Sequence, residues 1–324
     1  MENRKKIIST AIKILIGIAS FIIVYLRLKN EFTAEKTSIL FHAFLSQRGI
    51  IIFIICLIFI SVNWGIETLK WQLITEPIEK INYKTASKSI YSGICLGNLA
   101  PGRATEFIAK IIFFKQENRA KITVLHFING MFQLSVTYLI GLSALFFQLS
   151  KFAEEYAWLA YTTFCISLVV FSIFVFCLIK IDFILNLITK KINKNQSLNN
   201  FKYTFTKKVL FQLFGLSVIR YLVFFTQYYL LLTLFQEQHF GFMIFAGIAI
   251  YYLITTTIPM ISIIEAPIRA AIALIVFQDL EISSSVVALT SILIWLLNII
   301  LPSIYGYIVL VKQNFDFKLF NSSK

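Results

Sequence analysis

Two short stretches of this chain combine a proline, a glutamate and an arginine at helical spacing inside apolar surroundings. The first reads Gly97-Asn98-Leu99-Ala100-Pro101-Gly102-Arg103-Ala104-Thr105-Glu106-Phe107-Ile108-Ala109-Lys110. Pro101 and Gly102 are expected to end one half-helix, with the next beginning around Arg103. Arg103 precedes Glu106 by three positions and Glu106 precedes Lys110 by four, so all three can share a helix face. Glu106 near that N-terminus suits the helix dipole. An arginine fork at such a place can grip a phosphate through two parallel hydrogen bonds. The second stretch repeats the chemistry: Pro259 breaks the run, and Glu265 precedes Arg269 by four, the favourable order for a helical ion pair. The alternative is that each pair only neutralises itself and staples its own hairpin.

These stretches belong to a chain that cannot be an ordinary soluble domain. Of its 324 residues 58% are hydrophobic and 14% charged, against about 25% charged in soluble domains. Apolar runs near bilayer length, about 20 residues, predict spanning helices over 7–26, 49–69, 122–147, 157–179, 209–235 and 286–311. The stretches 86–114 and 241–278 are interrupted, at Pro101 and at Pro259 with Pro267 beyond, and read as re-entrant hairpins. Ordinary short spans over 241–258 and 264–278 are the alternative for the second. The first span follows a basic start but is too long for a signal peptide and lacks a small-residue cleavage site, so a retained anchor is expected.

Charge then orients the chain. The net charge of +14 points to a membrane with basic cytoplasmic loops rather than to nucleic acid. With the N-terminus inside and both hairpins returning to their own side, the cytoplasmic segments hold 20 Lys and Arg and the outer segments 5. Both termini are therefore expected in the cytoplasm, and the chain in the cell inner (plasma) membrane. The element order becomes span, span, hairpin, span, and then the same again. Halves 1–148 and 149–324 of one integral membrane domain would be related by inverted topology, the arrangement that puts transporter sites near the midplane.

Other polar residues in apolar runs are Asn63 and Glu67, Asn129 and Gln133, Arg220 and Gln227, and Asn298. Hydrogen bonding between helices is the default role of the amides. Glu67 and Arg220 could instead lie near span ends and reach the interface by snorkelling. Asn98, Lys110, Arg220, Gln227 and Asn298 are supporting candidates for a site centred on Arg103, Glu106, Glu265 and Arg269. The four cysteines and three histidines show no metal-ligand spacing. Gly-rich phosphate loops, Gly-x-Ser-x-Gly, His-Glu-x-x-His and Asp-x-Asp are absent. Neither a metal nor another cofactor is expected, and enzymatic activity is not expected.

The two broken stretches also carry a resemblance. Asn98 to Phe107 resembles the pattern N-x-x-P-x-R-x-G-E-[FY] of the lysylphosphatidylglycerol synthase transmembrane family, the flippase-like domain of multiple peptide resistance factors. Lys115-Gln116-Glu117-Asn118-Arg119 is similar to the K-x-E-N-R of stand-alone, bacteroidete-type members. Arg220-Tyr221, Gln227-Tyr228-Tyr229, Pro259, Glu265 and Arg269 resemble the family's second-half run, and Trp295 to Pro302 its closing W-x-x-N-x-x-x-P. The sequence departs at Thr105 and Pro267, where the family has glycine. It departs again at Asn129, Gly130 and Gln133, where many members carry E-R-x-x-D. The resemblance implies movement of a polar lipid between leaflets, and the lack of an aminoacyltransferase domain argues against lipid lysylation. Membrane lipids, anionic or phosphate-bearing, are the expected partners. A non-transporting accessory subunit of a partner membrane enzyme is the alternative, followed by an enzyme acting on lipid-linked substrates.

Overall fold

The computed structural model describes residues 34–98, 103–151, 205–235, 241–258, 260 and 262–312, with isolated positions in 22–26 and 158–172. The expected spans 7–26 and 157–179, and the breaks Pro101, Gly102 and Pro259, lie outside the described residues or largely so. Among the described residues the secondary structure is entirely helical. In chain order the helices are α1 (Ala34–Leu45), α2 (Gln47–Thr75), α3 (Tyr83–Gly97), α4 (Glu106–Ile111), α5 (Arg119–Lys151), α6 (Lys207–Phe235), α7 (Phe242–Thr257), α8 (Ser262–Val276), α9 (Ser284–Trp295) and α10 (Leu301–Lys312). A π-helical turn, Leu296–Ile300, joins α9 to α10 without a break.

Four helices, Gln47–Thr75, Gln116–Gln148, Lys207–Phe235 and Ser284–Lys312, are long and apolar enough to cross a membrane. They coincide with four of the expected spans. At 1.5 Å per residue, a 29-residue helix such as α2 runs about 44 Å, enough to cover the hydrocarbon core and both interfaces. Side chains explain the helix limits. Ser46 caps α2 by accepting from the Gly49 amide at 3.0 Å, and Asn82 caps α3 by accepting from Thr85 at 2.8 Å. Ile50, Ile54, Phe211, Ile219 and Ile308 are exposed, as lipid-facing residues would be.

In each interrupted stretch, described residues from its two arms lie close together. The carboxylate of Glu79, just before α3, accepts from the Lys115 amide at 3.1 Å and from Asn118 Nδ2 at 2.7 Å, just beyond α4. In the second stretch Phe277, just beyond α8, lies so close to α7 that a Cβ on Gly247 would stand 2.9 Å from its ring.

The halves also exchange partners. The α3 arm packs on α10, and the α7 arm packs on α5, while α2 and α6 pack on each other. Glycines permit both exchanges. A Cβ on Gly306 of α10 would collide with the Tyr91 carbonyl of α3, and one on Gly141 of α5 would stand 2.6 Å from Leu253 Cβ of α7. Helices approach this closely in membranes only where the side chain is small.

The apolar packing falls into two clusters. Tyr228, Tyr251, Phe277 and Leu297 belong to one, and Trp71, Ile90, Leu125 and Phe132 to the other. On α2, Ile52 and Cys56 join the first and Trp64, Trp71 and Ile74 the second. Arg220 lies on α6 between Leu213 of the second cluster and Tyr228 of the first. The seam between the cores is polar.

Candidate functional site

At that seam a cavity of about 200 Å³ is lined by Arg103, Arg220 and Arg269 together with Trp64, Tyr221, Trp295 and Asn298. The three arginines come from three elements: the segment before α4, the middle of α6, and α8. Depth follows from the helix limits. Arg220 is one residue from the midpoint of Lys207–Phe235, and Asn298 is at the midpoint of Ser284–Lys312. The cavity reaches the bundle surface at Arg103, whose side chain is 38% exposed, and at Thr256.

Arg220 is the most heavily partnered of the three. Its Nη1 lies 3.0 Å from Glu67 Oε2. Its Nε donates to Asn63 Oδ1 at 2.8 Å, and its Nη1 also reaches Gln133 Oε1 at 3.4 Å. Its guanidinium lies over the Trp64 ring at 5.0 Å and the Phe224 ring at 5.3 Å, a favourable stacking for a desolvated cation. Glu67 in turn accepts from Asn129 Nδ2 at 2.7 Å and lies 3.5 Å from Lys70 Nζ. Glu67 and Arg220 are thus buried partners, not snorkelling residues: a mid-helix arginine is too far from either interface and finds its carboxylate on the neighbouring span. Lys70, which falls in a cytoplasmic segment when spans are drawn by hydropathy, is fully buried. The helix runs on to Thr75 and Glu67 holds the ammonium one turn away.

The first broken stretch supplies a second shared carboxylate. Glu106 Oε1 is 2.7 Å from Lys110 Nζ, whereas its Oε2 is 3.9 Å from Arg103 Nη1. Lys110 is buried beneath Trp71, 5.2 Å from the ring, and its Nζ lies 3.4 Å from His126 Nδ1. Gly93 and Gly97 let α4 come this close, since a Cβ on Gly93 would stand 2.8 Å from Lys110 Cγ and one on Gly97 3.1 Å from Glu106 Cβ. The second half-helix begins at Glu106 rather than around Arg103, because Arg103 has φ 57°, a left-handed backbone that a right-handed helix cannot run through. That conformation is unfavourable for a residue with a Cβ and is typical of functional positions.

The second stretch is simpler. Arg269 Nε and Nη2 both lie 2.9 Å from Glu265 Oε1. Asn298 Nδ2 donates to Gln227 Oε1 at 2.7 Å, and Gln227 Nε2 to the Cys56 carbonyl at 3.0 Å, tying three helices together. Asn98 donates to Ser303 across the α3–α10 contact. The amides thus bond between helices as expected. Pro302 has no N–H to give to Asn298, four residues back. The π turn accommodates this, with the Leu301 amide bonding Leu296. Such turns are frequent at functional sites.

Of the expected residues, Arg103 and Arg269 line the cavity, as do the supporting Arg220 and Asn298. Glu106 and Glu265 do not line it; they hold arginines that do. Among the described lining residues there is no carboxylate. Four donors of lining residues, Arg103 Nη2, Trp64 Nε1, Trp295 Nε1 and Tyr221 Oη, are buried without a hydrogen-bond partner, against one such acceptor, Asn298 Oδ1. Buried polar groups are normally paired, so such a set of idle donors around three guanidiniums is suited to an anion. The aromatic donors escape a reading by composition, since Trp and Tyr count there as apolar. The available signal was spacing: Asn63, Trp64, Glu67, Lys70 and Trp71 form a polar stripe on one face of an apolar span. No family model matches this chain, and no curated protein matches it.

Proposed function

We propose that this protein is a lipid flippase or related transporter of the inner membrane that carries a phosphate-bearing headgroup between leaflets. The observation that carries this reading is the convergence of Arg103, Arg220 and Arg269 on one cavity at mid-helix depth. A cavity of about 200 Å³ is smaller than the roughly 300–1,000 Å³ of small-molecule pockets, so it suits a headgroup whose acyl tails stay in hydrocarbon. Its opening at the bundle surface gives the tails that route. Arg103, held only loosely by Glu106, takes the phosphate first; Arg220 and Arg269 receive it deeper, with Glu67 and Glu265 holding those forks in place.

In this reading the chain has six spans and two re-entrant hairpins, with both termini in the cytoplasm. The contact of Glu79 with Lys115 and Asn118 supports the first hairpin, and the approach of Phe277 to Gly247 the second. The exchange of partners between halves supports inverted topology, and the resemblance to the lysylphosphatidylglycerol synthase transmembrane family supports the lipid-carrying role. The test is translocation of a dye-labelled phospholipid in proteoliposomes. Arg103→Ala and Arg269→Gln are expected to slow translocation at least tenfold, by about the 1.4 kcal/mol or more that a lost charge-assisted hydrogen bond contributes. Wild-type rates in both variants would refute the site.

A further inference from the structure

We infer that the headgroup is a doubly charged phosphate monoester, because the buried charges around the cavity leave two positive charges unmatched; this rests on the lipid-carrying reading above. Among the described residues the ion pairs in and around the cavity comprise five cations, Lys70, Arg103, Lys110, Arg220 and Arg269, and three carboxylates, Glu67, Glu106 and Glu265. Arg269 has Glu265 to itself. Glu67 is divided between Arg220 at 3.0 Å and Lys70 at 3.5 Å, and Glu106 between Lys110 at 2.7 Å and Arg103 at 3.9 Å. In each divided pair one cation is a buried lysine away from the cavity and the other an arginine that lines it. By distance the surplus falls on Arg103, which lines the cavity, and on Lys70, which shares Glu67 with the better-held Arg220.

Unmatched charge at this depth is costly, and a group that supplies the missing negative charge is bound accordingly. A phosphate monoester carries about −1.5 to −2 at neutral pH and three strong acceptor oxygens. It answers the surplus of two and offers acceptors to Arg103 Nη2, Trp64 Nε1, Trp295 Nε1 and Tyr221 Oη, the donors left idle. A phosphodiester headgroup brings one charge and two free oxygens. An aminoacylated headgroup also brings an ammonium, which has only donors to offer to a cavity whose described lining has no carboxylate. The site therefore ranks monoester above diester above aminoacyl lipid.

Trp64 and Trp295 line the cavity, so intrinsic fluorescence of the full chain in mixed micelles reports binding. Phosphatidate is expected to bind at least about tenfold more tightly than phosphatidylglycerol with the same chains at about pH 8, where the monoester is dianionic, and near parity at about pH 5. Phosphatidylglycerol affinity at each pH is the reference, since titration of the protein acts on both lipids. Lys70→Met and Lys110→Met each remove one unmatched charge and are expected to shrink the preference several-fold, whereas Glu67→Gln enlarges it. Equal affinities, or a preference of the same size from about pH 5 to about pH 8, overturns the inference; if a lysine variant does not fold, the wild-type pH series decides alone. Displacement of phosphatidate by millimolar inorganic phosphate identifies a free phosphate compound as the ligand, and no displacement identifies the lipid headgroup. Translocation of dye-labelled lipid is measured in parallel. Monoester preference without translocation refutes the flippase reading alone; translocation without preference refutes this inference alone.

Discussion

Arg220 at the middle of α6 meets Glu67 of α2 at 3.0 Å, and the pair joins the two halves of the chain at the depth of the cavity. Both residues are buried, so neither can turn to water when its partner is lost. Glu67→Gln leaves Arg220 and Lys70 without their carboxylate, and Arg220→Met leaves Glu67 with Lys70 alone. Each is expected to destabilise by about 3–5 kcal/mol, the cost of an orphaned buried charge. The double variant should cost clearly less than the sum, because the two sites share one interaction. Thermal unfolding of the four proteins in detergent measures the cycle. Additive effects would mean that the pair is not coupled.

The amide chain from Asn298 through Gln227 to the Cys56 carbonyl is uncharged, and its loss should matter less. Hydrogen bonds between membrane helices contribute about 0.6 kcal/mol on average and at most about 1.7. Gln227→Leu is therefore expected to lower stability by about 1 kcal/mol, well below Glu67→Gln. A larger loss than that of Glu67→Gln in the same unfolding assay would reverse this ranking of polar and ionic contributions.

The exchange of arms between halves makes a prediction about glycines. Gly306→Ala sets a Cβ against the Tyr91 carbonyl, and backbone cannot move aside as a flexible side chain can. It is expected to cost about 1–3 kcal/mol, as overpacking does. Gly130 and Gly215 have open space where a Cβ would stand. Alanine there is expected to be neutral or to stabilise by up to about 1 kcal/mol through helix propensity. The contrast separates close helix approach from a general cost of changing glycines.

Much of this site was legible in the sequence, and what was not has physical causes. Glu106 with Lys110 and Glu265 with Arg269 are pairs within one helix, and helical spacing alone brings them together. Four long spans followed from apolar runs. The pairing of Arg220 with Glu67 depends on which helices pack, and positions so far apart in the chain carry no spacing signal. Lys70 was misplaced because the apolar run gives out near residue 69, whereas the backbone helix continues to Thr75 and buries it. The left-handed turn at Arg103 was hidden for a different reason: arginine is not a residue that signals positive φ.

Topology can be tested without a structure. In a variant lacking its native cysteines, Lys80→Cys and Lys115→Cys flank the first interrupted stretch, and Gly241→Cys and Gln278→Cys the second. If the expected orientation holds, an impermeant thiol reagent should label the first two from the cytoplasmic side only and the last two from the outer side only. Glu79 lies against Lys115 and Asn118, so the first pair is expected to be labelled from the same side. Labelling of Lys80→Cys and Lys115→Cys from opposite sides would exclude the hairpin.

The backbone of Arg103 sets stability against function. A left-handed conformation costs a residue with a Cβ about 1–2 kcal/mol, and glycine adopts it freely but loses more entropy on folding. Arg103→Gly removes the strain and gives up only a loose contact, since Glu106 keeps Lys110 at 2.7 Å. The two terms nearly cancel, so the variant is expected to unfold within about 1 kcal/mol of the wild type. Lipid translocation should nevertheless fall at least tenfold, because the half-exposed guanidinium with an idle Nη2 is gone. Arg103→Lys keeps the charge and the strain but loses the planar fork, and should recover only part of the rate. If Arg103→Gly is strongly destabilised, the residue holds the hairpin together. If it is stable and translocates at the wild-type rate, Arg103 has no part in carrying the headgroup.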